Sequence, residues 1–135
     1  MKTVVEFLAK NPGHYFATMG TDGKPKVRPF QFMLEKDGKL YFCTSNQKPV
    51  FTEMMKQPFV EICATGADNS WMRLRGKAVF TKDIDIKAKM LELSPLVKMI
   101  YRTPDNPILE AFYLDEALAT ISDFSGNPPM VIKMQ

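Results

Sequence analysis

Residues 2–10 place Val4, Val5, Leu8 and Ala9 at helical spacing, and Pro12-Gly13 closes that element. From there the apolar pattern shortens to the two-residue period of strands. "HYFATMG" and "KVRPFQFMLE" read as strands joined by "TDGKP", and "LYFCTS" reads as a third, joined by "KDGK". Both joints carry Asp-Gly, which supplies the backbone angles of tight hairpins. The three strands are therefore expected to form a meander. "KPVFTEMMKQ" reads as a short helix with Pro49 near its first turn, where a missing N–H is tolerated. "PFVEICATG" and "WMRLRGKAVF" are the fourth and fifth strands, separated by the polar "ADNS". "DIDIKAKMLELSPLVKMIY" returns to helical spacing and is broken or bent at Pro95. After "RTPDNP", "ILEAFYL" and "LATISDFSG" read as two more strands, and "PPMVIKM" carries no assignment. The succession predicts a mainly β protein with helices, in which six or seven antiparallel strands make a small barrel.

Composition narrows the class. A chain of 135 residues fits one domain over 1–135. Ten Phe, ten Met and four Tyr supply large core side chains. No window approaches the roughly 20 apolar residues of a membrane helix. Glu6 and Lys10 interrupt the N-terminal apolar run, so it reads as an amphipathic helix and not a signal peptide. The expected location is cytoplasmic, with no membrane. The net charge of +3 is too mild to name nucleic acid as partner and is compatible with a small anionic ligand. Cys43 and Cys63 sit in apolar, strand-like runs and are expected to be buried thiols. His14 is the only histidine, and no cluster of Cys, His and carboxylates has metal-ligand spacing. That argues against zinc sites and histidine-dependent hydrolases.

Three stretches carry candidate chemistry. On the fifth strand, alternation puts Met72, Leu74, Gly76, Ala78 and Phe80 on one face and Trp71, Arg73, Arg75 and Lys77 on the other. The second face is either solvated or a ligand or partner surface rich in cations. On the second strand, Pro29 cannot donate to a ladder, which marks an edge or a bulge. In "LYFCTSNQKPV" a strand runs into a helix start, where unpartnered N–H groups favour anions. Thr44 and Ser45 add hydroxyls there and Lys48 a mobile charge; capping of the helix by Ser45 or Asn46 is the plainer alternative.

The order of "FATMGTDGKPKVRPFQF", "DGKLYFCTSNQKPVFTEMMKQPFVEI" and "WMRLRGKAVF" resembles the pyridoxamine-phosphate-oxidase-like family, the FMN-binding split β-barrels. The family's strand ending in T-D-x-D/N-G-x-P, its following R-P strand, and its Tyr/Phe-x-Thr segment with a later Lys opening a helix all have counterparts. The resemblance covers Val4 to Gly126. It implies FMN bound at the interface of a homodimer. Arg28 and Lys48 would hold the phosphate, with Thr44 and Ser45 adding hydroxyl or backbone bonds. Pro29, Phe30 and Gln31 would line the flavin ring. Trp71 and Arg73, and more weakly Phe124, would reach the same site, from the second chain in the case of Phe124.

The family's namesake enzymes carry a C-terminal segment with Trp and Arg that helps hold pyridoxine phosphate. This chain ends "GNPPMVIKMQ", without either. The compact form is more similar to small bacterial flavin reductases of the superfamily, including nitroimidazole-reductase-like proteins. The implied activity is transfer of electrons or hydride from NADH or NADPH through FMN to a small organic acceptor. A flavin- or haem-binding carrier or sensor on the same fold is the alternative.

Overall fold

A computed structural model describes residues 1–134. The elements in chain order are α1 (Lys2–Lys10), β1 (His14–Met19), β2 (Pro25–Phe30), β3 (Leu34–Lys36), β4 (Lys39–Ser45) and α2 (Pro49–Lys56). There follow β5 (Phe59–Thr65), β6 (Trp71–Thr81), α3 (Ile84–Leu93), α4 (Pro95–Tyr101), β7 (Leu109–Ser122) and β8 (Met130–Lys133). All strand pairs are antiparallel, in the order β2-β1-β5-β6-β7-β4-β3, with β8 also on β7.

Side chains show that this sheet rolls into a barrel. Three strands separate β1 from β4 in the order, yet the rings of Phe16 and Phe42 lie 6.3 Å apart. Phe112 of β7 reaches Phe16 at 5.9 Å and stacks on Phe42 at 5.6 Å. Phe16, Phe42 and Phe112 are fully buried and anchor a core that takes in Leu40, Ile62, Met72 and Leu74. The expected two faces of β6 are present. Met72, Leu74, Gly76 and Ala78 are buried, while Arg73 and Arg75 are exposed.

Three strand assignments change. "KVRPFQFMLE" is two strands, because β2 pairs with β1 and β3 with β4, at opposite ends of the sheet. Residues 31–33 cross from one edge to the other, so a single strand cannot serve both. Pro29 accordingly lies on an edge, as expected. "ILEAFYL" and the "LATIS" of "LATISDFSG" fall in one strand of 14 residues, Leu109–Ser122, with Ile108 and the segment 123–126 outside it. The polar Asp115-Glu116 between them is a bulge and not a turn: the β6–β7 register shifts between Arg75 and Lys77, and Glu116 has φ 51. Gly76 faces this bulge, and a Cβ there would lie 3.0 Å from the Asp115 carbonyl oxygen. The tail is also ordered, as β8 along Leu118–Ile121. The helical stretch ends α3 at Ser94, whose Oγ accepts from the Val97 N–H and starts α4 with Pro95 in its first turn. Among the described residues, no helix is long and apolar enough to cross a membrane.

His14 is buried beneath α1. Its Nε2 bonds the Leu8 carbonyl at 3.0 Å, and its Nδ1 accepts from the Phe32 N–H at 3.4 Å. One ring thus ties α1 and β1 to the crossing segment. Burial holds its pKa below the ordinary 6.5, outweighing the carbonyl bonds.

Candidate functional site

A cavity of about 550 Å³ opens between β2, β4, the start of α2 and α4. Its lining includes Arg28, Pro29, Phe30, Gln31, Thr44 and Lys48. The structure thus brings together six residues that the sequence marked separately.

The turn from β4 to α2 sorts the polar run of "TSNQK" into two jobs. Ser45 Oγ accepts from the Gln47 N–H at 3.1 Å, and the Ser45 carbonyl accepts from the Lys48 N–H at 3.1 Å. Asn46 Nδ2 donates to the Pro107 carbonyl at 2.9 Å and to Glu110 at 3.0 Å. These two residues build the turn and dock it on the strand after α4. Neither caps α2: its N-cap is Lys48, with no side-chain cap bond and Pro49 next. Thr44 and Lys48 are left over. Thr44 is 3% exposed and its Oγ1 has no hydrogen-bond partner; among the described residues no other fully buried side-chain polar atom is in that position. Lys48 is exposed and forms no ion pair among the described residues. A buried hydroxyl, an exposed ammonium and an uncapped helix start therefore belong to one cavity lining.

Arg28 lines the same cavity, but its charge is already engaged. Its Nη2 donates to Glu53 Oε1 at 2.6 Å and its Nη1 to Thr18 Oγ1 at 2.7 Å, with a longer bond to the Phe16 carbonyl at 3.4 Å. Thr18 donates to the same Glu53 oxygen at 2.7 Å. Glu53 sits on the buried face of α2, its side chain only 8% exposed. Arg28 is left with N–H groups to offer and no uncompensated charge.

The far wall is apolar. Leu96, Val97, Ile100 and Tyr101 of α4 face Met33, Val50 and Pro29. Cys43 lies deep in the lining, and burial pushes its thiol up to about 11 despite the opposing charge of Lys48. Burial likewise raises Tyr101, with Cys43 adding to the effect. Both groups are uncharged at neutral pH.

Sequence reading missed this wall. A signal for it was available: "PLVKMIY" is apolar around most of the helix, yet only Val97 and Tyr101 are buried. Leu96, Met99 and Ile100 are more than half exposed.

Trp71, Arg73 and Phe124 lie outside the cavity of their own chain. The rings of Trp71 and Phe124 pack at 5.2 Å, with Phe124 82% exposed. Arg73 pairs with Glu61 across the β5–β6 ladder, its Nη2 at 2.7 Å. It borders a shallow hollow with Arg75, Leu118 and Thr120. A further hollow of about 590 Å³ runs over β1, β5 and β6 past Met19, Phe59, Arg75 and Gly76. It is open and holds no orphaned buried polar group. Among the described residues, no group of three or more His, Cys, Asp or Glu could hold a metal ion.

Comparison with known proteins agrees with the fold. The family model described as pyridoxamine 5'-phosphate oxidase matches residues 1–114. A NimC/NimA family protein from Clostridium acetobutylicum is similar at a TM-score of 0.89 and 32% identity, over 98% of this chain and 92% of that one. General Stress Protein 26 from Bacillus anthracis is similar at 0.75 and 19% identity, over 98% and 96%. A pyridoxamine 5'-phosphate oxidase-related, FMN-binding protein from Nostoc punctiforme is similar at 0.75 and 19% identity, over 96% and 87%. The last two speak for the fold alone. No curated protein matches the sequence.

Proposed function

Since the chain belongs to the pyridoxamine 5'-phosphate oxidase family of split β-barrels, we propose that it binds FMN and acts as a homodimeric oxidoreductase. Electrons or hydride would pass from a nicotinamide donor to a small organic acceptor. One observation carries this reading: the orphaned Thr44 hydroxyl and the unpaired Lys48 line one cavity with the uncapped start of α2. Leaving a buried hydroxyl unsatisfied costs about 1–3 kcal/mol. A phosphate oxygen would supply the missing partner, Lys48 would balance its charge, and the helix start would favour the anion. The residues present therefore fit the group.

FMN supplies the redox chemistry when bound, and the chain's residues bind and orient it. Thr44 and Lys48 hold the phosphate end. Arg28 adds neutral-pair donors, and the β4–α2 turn built by Ser45 fixes their spacing. Pro29, Phe30 and Gln31 flank the ring. Trp71, Arg73 and Phe124 serve the partner's site in the dimer. The lining contains neither a carboxylate nor a histidine, and its thiol and phenol stay protonated at neutral pH. Nothing in the wall is poised as a general base, which suits transfer through a bound redox group better than hydrolysis.

The absorbance spectrum of the purified protein tests this directly. Flavin bands that bleach on anaerobic addition of NADH or NADPH are the expected result. A colourless protein that takes up no added FMN overturns the reading. Bound flavin that neither nicotinamide reduces points instead to a carrier or sensor.

A further inference from the structure

Arg28 is oriented in the cavity wall by residues that do not themselves belong to that wall. On β2 it pairs with the buried Phe16 of β1 and alternates with the exposed Val27, so its side chain turns toward the barrel. There the guanidinium meets two fixed oxygens. Nη2 donates to Glu53 Oε1 at 2.6 Å and Nη1 to Thr18 Oγ1 at 2.7 Å, while Thr18 donates to the same Glu53 oxygen at 2.7 Å. Thr18 and Glu53 are both buried. Neither lines the cavity that holds Arg28, Thr44 and Lys48. Whatever they do to a ligand there, they do through Arg28.

The triangle has two effects of opposite sign. A guanidinium pinned on two oxygens keeps its remaining N–H groups preset, which spares an incoming anion the cost of ordering them. The carboxylate that pins it also repels that anion, and at a partly buried site such repulsion is weakly screened. A neutral oxygen at position 53 would pin the fork as well. With FMN bound, its phosphate would compensate Arg28. Glu53 compensates it beforehand, so the empty cavity carries no bare guanidinium and the phosphate gains less on arrival.

Resting on the flavin reading, we propose that Glu53 is a positioning residue: together with Thr18 it presents Arg28 to the flavin phosphate as a preset, charge-compensated donor, and so keeps FMN exchangeable. The flavin is then a ligand that leaves, and the charge at position 53 sets how readily.

Two variants and two flavins test it. FMN and riboflavin differ by the phosphate alone, so the ratio of their dissociation constants, from fluorescence titration of flavin-free protein, isolates the phosphate contribution. Whatever a second chain adds to the site is common to the proteins compared. Glu53→Gln keeps an oxygen for both donors and removes the charge. It is expected to raise the preference for FMN over riboflavin at least about fivefold and to slow FMN release on dilution by a similar factor. Thr18→Val keeps every charge and loosens the fork, and is expected to lower that preference about threefold. A merely structural Glu53 would lower the melting temperature on substitution and leave the ratio where it is. A ratio that Glu53→Gln leaves level or lowers overturns the charge role. A ratio that Thr18→Val leaves level overturns the positioning role, and this variant keeps the proposal refutable should Glu53→Gln not fold. Wild-type protein that binds neither flavin, or both equally, overturns the flavin-phosphate reading instead, so the failures are distinct.

Discussion

The roles proposed for Thr44 and Lys48 in anion binding are ones that mutation separates. Thr44→Val keeps the shape of the side chain and removes a hydroxyl that has no partner in the free protein. Ligand-free stability is therefore expected to stay level or rise by about 1 kcal/mol, while FMN affinity falls. Thermal melts with and without FMN read both effects, and a loss of ligand-free stability would show that the hydroxyl has a partner after all. Lys48→Ala is expected to weaken FMN by about 1–3 kcal/mol, the range for a bond to a charged group; flavin fluorescence titration measures it. His14 gives a pH signature of its own. Its native pKa lies below 6.5, so the unfolded chain takes up the proton first. Stability is complete above about pH 6.5 and declines as pH falls towards the lowered native value. The midpoint of urea unfolding should begin to drop as pH falls below about 6.5, above the range of ordinary carboxylates, and His14→Gln should remove that drop. The chain has no other histidine to confuse it. Thr44 and Lys48 were marked in the sequence because a hydroxyl and an ammonium at a strand-to-helix joint suit an anion; that Ser45 and Asn46 build the turn and do not cap α2 was not legible there. Nor was Arg28's engagement, since its partner Glu53 comes 25 positions later on a helix whose buried face only the fold reveals.

Between elements, the Thr18–Arg28–Glu53 triangle joins β1, β2 and α2, whose start bears Lys48. Removing one member of such a group leaves the others buried and uncompensated. Glu53→Ala is expected to cost about 3 kcal/mol, the low end for a buried pair because the Arg28 side chain is 24% exposed. Chemical denaturation measures this, and a cost under about 1 kcal/mol would mean that Arg28 finds water instead. The same variant frees Arg28's charge beside the cavity. The element errors of the sequence reading share one cause. Period and turn chemistry describe a residue's own neighbours, whereas β2 ends where it does because the two edges of the sheet must be bridged. Likewise Asp115-Glu116 has the composition of a turn, but it opposes Gly76 as a bulge within β7. The hairpins, the helix starts at Pro49 and Pro95 and the alternation of β6 are local properties, and these were legible.

At the scale of the whole molecule, the cavity wall from α4 stood beyond sequence reasoning, because α4 lies more than 45 positions along the chain from Lys48 and meets it only once the sheet has rolled. Ligand linkage offers a global check. FMN at 100 times its Kd should stabilise the fold by about 2.7 kcal/mol, seen as a raised and concentration-dependent melting temperature. The long strand β7 has a further consequence, for synthesis. Among the described residues it is the one strand that pairs with both the β2-β1-β5-β6 half of the sheet and the β4-β3 half, and it is made after every other strand but β8. A nascent chain that stops short of Leu109 holds two half-sheets with open inner edges on β6 and β4. Such edges invite pairing with a neighbouring chain. The interval between the synthesis of β6 and that of β7 is then the one in which this protein most needs to be kept from its own copies, and β7 ends it by filling both edges in one step.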